Sequence, residues 1–185
     1  MAGELTTTAY AVLLDYERRA LEHRAEAPAS QQAGPQLWRG LSFSVQGIET
    51  VSAIGEIAEI LVPPSLTFVP GAQPWLRGIA NLRGTLLTVV DLGHFLFDKP
   101  TQYDDRNRVL VVRQRGTAAT GLLVSAVLGQ RAFDEADAVV AEDVVDPRML
   151  TYVPYAFADG AGERFWPVLS LPTLLRAQAF LDAAA

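Results

Sequence analysis

The sequence predicts a mainly β protein with two related β-rich regions and a helix near each end, and three observations carry that prediction. From Leu41 to Val62, apolar residues recur in a β-type pattern at Leu41, Phe43 and Val45, pause at a Gln46-Gly47 turn, and resume at Val51, Ile54, Ile57, Ile60 and Val62. From Arg108 to Phe133 the layout returns: the run Val109-Leu110-Val111-Val112, a turn at Arg115-Gly116, then Leu122, Leu123, Val124 and Val127. Setting Gly121 opposite Val51 pairs Val124 with Ile54 and Val127 with Ile57, a weak internal echo that favours two related β subdomains. Between them, Gly78 to Leu92 reads as strand, tight turn with Arg83, strand, and a short helix opened by Asp91.

In chain order, Thr6-Thr7-Thr8 can cap a helix from about Thr8 to Arg24. Its apolar positions Tyr10, Leu13, Leu14, Ala20 and Leu21 fall largely on one face. That face could cover the chain's own barrel or dock another protein. Residues 25–36 lack a hydrophobic period, contain two prolines, and read as a linker. Three short strands are expected from Leu41 to Val62, although Ile54, Ile57 and Leu61 lie near helical spacing. Asp98 to Asn107 is a polar connector with Pro100 and Asp104-Asp105. After Phe133 an acidic segment, Asp134 to Asp146, loops over one end, and strands follow near Met149–Tyr155 and Arg164–Leu169, joined by a turn at Asp159–Gly162. Pro172 suits the first turn of a terminal helix ending near Ala183.

At 185 residues, half of them hydrophobic, the chain can bury a substantial core. A net charge of −6 and a single lysine, Lys99, argue against a phosphate-backbone binder, so nucleic acid is not an expected partner and protein is. The lack of cysteine removes disulfides, thiolate catalysis and thiolate metal sites. The longest uncharged apolar stretch, Gly116 to Gln130, is too short for a bilayer span, so no direct membrane insertion is expected.

Catalytic chemistry finds few candidates. His23 lies in the leader helix, and His94, in the apolar turn Gly93-His94-Phe95-Leu96, reads as a packing histidine. No HxxxH, HExxH, GxGxxG or P-loop spacing occurs, so no metal and no cofactor is implied. Asp104-Asp105 and Glu142-Asp143 are acidic pairs in polar connectors, where carboxylates stay solvated. Trp38, Trp75 and Trp166 read as core anchors, with Trp75 set apart by its position just before Gly78. Arg83, before a glycine at a bend, is either an ordinary turn residue or a charged anchor on a rigid β scaffold.

The run from Val69 to Leu92 resembles the signature of the CheW family of chemosensory coupling proteins, with Pro70, Gly78, Asn81, Leu82, Arg83, Gly84, Asp91 and Leu92 agreeing together at their spacings. The resemblance covers Leu41 to Phe133 and weakens beyond it. Leu13 to Arg19, Trp38 to Phe43 and Phe180-Leu181-Asp182 are similar, more narrowly, to the CheW-like protein of type IV pilus (twitching motility) chemosensory systems.

The resemblance implies two small five-stranded, SH3-like β barrels intertwined over residues 37–183, no enzymatic activity, and a cytoplasmic scaffold role. Such proteins join the cytoplasmic tip of a methyl-accepting chemoreceptor to the regulatory domain of a CheA-type histidine kinase, and meet the membrane array through those partners. Carried over by position, the family's receptor-facing strip falls on Ile54, Ile57, Glu59 and Ile60, with Gly78, Asn81 and Arg83. Ile57 would give buried contact, Glu59 a charge for a receptor Arg or Lys, Gly78 a close backbone approach, and Arg83 a multidentate anchor. Core packing is the plainer reading of the three isoleucines, and the expectation is Ile54 inside with Ile57 at least partly exposed. Two other functions stay open: a CheW-like kinase regulator that docks no receptor, and a small ligand binder or enzyme with its site between the subdomains.

Overall fold

Leu37–Val45 and Ile48–Ala53 form the antiparallel strands β1 and β2, joined by the two-residue turn Gln46-Gly47. Both turn residues have positive φ, 51° and 86°, the geometry that matches the right-handed strand twist. The computed structural model describes residues 37–112 and 118–183, all within the unit Gln36–Ala185. The expected leader helix, the linker and the turn at Arg115-Gly116 lie outside the described residues.

A short 3-10 turn, Ile54–Glu56, carries the chain from β2 into β3, Ile57–Leu61. The sheet that β3 enters has the order β3-β6-β7-β5-β4, with β4 Leu76–Leu82, β5 Thr85–Asp91, β6 Arg108–Val112 and β7 Ala118–Val124. Only β5 and β7 run parallel. At Ser125 the chain crosses back, and β8, Ala126–Asp134, pairs with β1 in a sheet ordered β2-β1-β8. The internal echo aligns these two crossings, Ile54 with Val124 and Gly55 with Ser125.

The third sheet, β11-β10-β9, comprises Ala138–Val140, Tyr155–Ala158 and Phe165–Pro167 as β9, β10 and β11. A parallel bridge between Val51 and Val168 ties it to β2. The fold is therefore mainly β with two subdomains, as expected. One subdomain is a five-stranded sheet, while the other assembles six strands from two three-stranded sheets.

The run Val109-Leu110-Val111-Val112 shows no alternation because its sheet is buried on both faces. Val109 and Val111 pack with Leu87, Val89 and Leu123 on one side. Leu110 and Val112 face the largest core, which includes Phe43, Leu122, Met149, Leu169, Leu171 and Leu174. A third cluster, Val51, Phe133, Phe157, Trp166 and Val168, fills the six-stranded subdomain.

Three expected elements differ. The acidic segment 134–146, expected as a loop, carries the short strand β9, paired with β10, between 3-10 turns at Glu135–Asp137 and Ala141–Asp143. No strand spans Met149–Tyr155: Asp146 caps a 3-10 turn at Pro147–Met149 by accepting from the Arg148 amide, and extended pairing begins only at Tyr155, after Pro154. The terminal helix is broken in two. α2, Leu171–Arg176, starts at the Ser170 cap with Pro172 in its first turn, Ala177 is extended (ψ 132°), and α3 covers Gln178–Leu181. The break lets Leu171 and Leu174 from α2 and Phe180 from α3 all enter the same core.

Asp91 opens the short helix α1, Leu92–Phe97, as expected, so His94 lies on a helix and not in a turn. Fully buried, the Asp91 carboxylate accepts from the His94 amide at 3.1 Å and from the Thr101 amide and hydroxyl at 2.9 and 2.7 Å. One side chain thus caps the helix and fastens the 98–107 connector.

Candidate partner-binding surface

The β4–β5 hairpin turns through Arg83 and Gly84, at φ 52° and 87°. Both values lie in the left-handed region, which glycine adopts freely and arginine does not. Asn81 supports the turn: its Oδ1 accepts from the Gly84 amide at 2.8 Å. Its side chain therefore shapes the tip as well as facing solvent.

Arg83 Nη2 donates to Glu59 Oε1 at 2.8 Å. Glu59 belongs to β3, at the opposite edge of the sheet from β4. The contact exists because the twisted sheet curls far enough to bring its two edges together at the hairpin tip. With the two side chains 78% and 31% exposed, the pair is worth only about 0–1 kcal/mol of stability. It fixes where two charges stand more than it holds the fold.

The isoleucines are placed the opposite way from the expectation. Ile54 is 39% exposed on the 3-10 turn, Ile57 is 8% exposed in the central core, and Ile60 is 42% exposed. Strand parity, counted from β2, is lost in the 3-10 turn, and a bulge between Ile57 and Glu59 shifts it again. Ile54 and Ile60 therefore flank a buried Ile57.

Gly78 is also buried. Its φ is 137°, and a Cβ there would stand 2.4 Å from the carbonyl oxygen of Thr67, whose backbone bridges Ile79. The close approach that this glycine permits is made by the chain's own 62–75 loop. Of the seven expected residues, Ile54, Glu59, Ile60, Asn81 and Arg83 reach the surface, and hydrogen bonds join Glu59, Arg83 and the Asn81-supported turn into one cluster.

Leu86 was not anticipated and is 55% exposed beside the tip, directly across from Asn81. The adjacent pair Leu86-Leu87 held the signal, since neighbouring strand residues face opposite sides and Leu87 is fully buried. Trp75 packs edge-on to Phe95 at 5.3 Å and stacks on Phe180 at 5.8 Å, so it anchors the core under the hairpin.

Glu56, between Ile54 and Ile57, accepts from the Leu171 amide at 3.1 Å. Burial pushes its carboxyl above the ordinary range, and that hydrogen bond offsets part of the rise. The Arg106 guanidinium holds Asp104 down to about 2, and Arg148 does the same for Asp146. His94 is half-buried, and no three His, Asp or Glu side chains among the described residues are grouped to hold a metal. No described helix is long and apolar enough to cross a membrane.

A two-subdomain β scaffold whose charged pair is held at an exposed hairpin tip has the form of an adaptor module. The model of the CheW-like domain family matches residues 39–179, and the chain belongs to that family of scaffold and adaptor proteins. The match continues well past Phe133, where the motif resemblance weakened. The chain is 33% identical to Protein PilI of Pseudomonas aeruginosa over 177 residues, 96% of this chain and 97% of that protein. It is 30% identical to Chemotaxis protein CheW of Bacillus subtilis over 73 residues, 40% of this chain and 47% of the other. In fold it is similar to the crystal structure of the scaffolding protein TtCheW from Thermoanaerobacter tengcongensis, with a TM-score of 0.65, 21% identity, and coverage of 77% of this chain and 95% of that one.

Proposed function

We propose that the chain is a non-enzymatic adaptor that couples a methyl-accepting chemoreceptor to a CheA-type histidine kinase, in control of type IV pilus twitching motility. The observation that carries this reading is the Arg83–Glu59 pair on a rigid tip, on a chain similar to PilI along nearly its whole length. Arg83 offers donors and Glu59 an acceptor, while Ile54 on the 3-10 turn and Ile60 on β3 add exposed apolar area. The work is done in the cytoplasm, at receptor arrays reached through the two partners.

Transmission would run through β3. Ile54 and Ile60 face outward on either side of Ile57, which sits in the core between the subdomains, and Glu56 is bonded to the start of α2. A partner pressing on β3 therefore acts on packing shared by both subdomains.

Co-purification tests the reading, using the wild type and an Arg83→Ala chain with the kinase regulatory domain and the receptor signalling tip of the same organism. Binding of the wild type to both, weakened in the variant, is the expected result. Binding to the kinase alone would make the protein a kinase regulator without receptor docking, and binding to neither would end the adaptor reading.

A further inference from the structure

The end of the five-stranded sheet away from Arg83 carries a second surface feature. β5 runs from Thr85, beside the tip, to Asp91, roughly 20 Å away at the usual strand rise. At that far end a groove of about 280 Å³ opens between the 62–68 and 98–107 segments. Pro63, Pro64 and Leu66 line one side, Tyr103 the other, and Val89 and Leu123 from the inner cluster also line it.

Both walls are fixed before anything binds. Two adjacent prolines stiffen one. The other is held by Asp91 on Thr101 and by Asn107, which accepts from the Asp104 amide at 2.9 Å and donates to the Ser125 carbonyl at 3.1 Å. Docking here would cost little ordering. The three most exposed large apolar or aromatic side chains among the described residues lie on these same two segments: Tyr103 at 91%, Phe68 at 71% and Val62 at 70%. Such concentration marks a contact surface more than scattered exposure does.

Arg77 decides the partner's chemistry. It is the one charged side chain lining the groove, it is exposed, and it has no ion pair among the described residues. A guanidinium at the rim of an apolar groove favours a carboxylate that arrives with an apolar neighbour. We infer that this groove takes an extended segment of a partner protein, with an apolar side chain in the groove and a carboxylate on Arg77. The volume lies near the low end for small-ligand sites and suits side chains, not a whole helix. Because it faces away from the Arg83 tip, it can be filled while that tip is engaged.

The inference rests on the adaptor reading only for the choice of sequences to test. Overlapping short peptides covering the CheA-type kinase and the chemoreceptors of the same organism are arrayed and probed with four chains: wild type, Arg77→Glu, Tyr103→Ala and Arg83→Ala. Bound peptides are expected to carry an apolar residue close to Asp or Glu. Arg77→Glu should weaken them about tenfold or more, and changing the peptide carboxylate to lysine should restore binding to that variant. Tyr103→Ala should weaken them too, and Arg83→Ala should leave them unchanged. Arg77 is exposed and has no ion pair among the described residues, so the variant is expected to keep the wild-type Tm, and Arg77→Gln serves in its place if it does not. No bound peptide, or binding indifferent to Arg77, overturns the inference. If Arg83-dependent co-purification survives that outcome, the adaptor reading stands alone; if co-purification fails while Arg77-dependent peptides bind, the groove stands alone.

Discussion

Two hairpin tips in this chain share a backbone and differ in what their side chains meet. Gln46-Gly47 and Arg83-Gly84 are both two-residue turns with nearly the same pair of positive φ values. Gln46 turns inward: its Nε2 donates to the Lys99 carbonyl at 2.7 Å and lies in space that a Cβ on Gly93 would fill. Arg83 turns outward and meets a half-buried carboxylate across the curled sheet. A residue before glycine sets the bend in both cases; the surrounding segments decide whether its side chain becomes a fastening or a contact.

The largest effect that would disturb this contrast lies beneath the second tip. Gly78→Val adds a branched side chain where φ is 137° and the Thr67 carbonyl already occupies the space. A loss of about 3 kcal/mol or more is expected in chemical denaturation. A near-neutral result would mean that the 62–75 loop yields easily and that Gly78 is free for partner contact after all.

Next comes the support of the first tip. Asp91→Ala removes three hydrogen bonds that hold α1 and the connector carrying Lys99. Stability should fall by about 2–3 kcal/mol, and amide exchange at Thr101 should quicken markedly. Exchange left as in the wild type would show that the connector is held by other contacts.

The smallest effect is a pH dependence at the crossing that both subdomains share. Glu56 has a raised pKa in the folded chain, so the native state favours its protonated form more than the unfolded state does. The contribution is fully present below the ordinary glutamate range and is lost as pH rises through the folded value. Glu56→Gln should therefore raise Tm slightly at pH 7, and the gain should shrink to nothing as the pH falls below that range. A gain that grows with acid would reverse the assignment.

Local chemistry made much of this legible. The apolar run Val109 to Val112 announced a β-rich region, Asp91 announced a helix start, and the two X-Gly pairs announced tight turns. What escaped depends on parity and on distant partners. The three-residue 3-10 turn Ile54–Glu56 exchanged the environments of Ile54 and Ile57, and the bulge after Ile57 shifted the parity of the rest of β3. Gly78 read as a contact glycine because the Thr67 carbonyl that fills its space belongs to a loop without periodicity. The Glu59–Arg83 contact could not be read from spacing, since it comes from the curl of a sheet whose strand order has β3 and β4 at opposite edges.

The contrast between the tips is tested most directly by matched single variants, Gln46→Ala and Arg83→Ala, each measured for unfolding stability and for affinity toward the kinase regulatory domain and the receptor tip. Gln46→Ala is expected to lose about 1 kcal/mol of stability with affinity unchanged. Arg83→Ala is expected to lose less than about 1 kcal/mol of stability and about 1–3 kcal/mol of affinity. Equal affinity for both variants, with the stability loss falling on Arg83, would contradict the account and make the exposed pair a structural clasp.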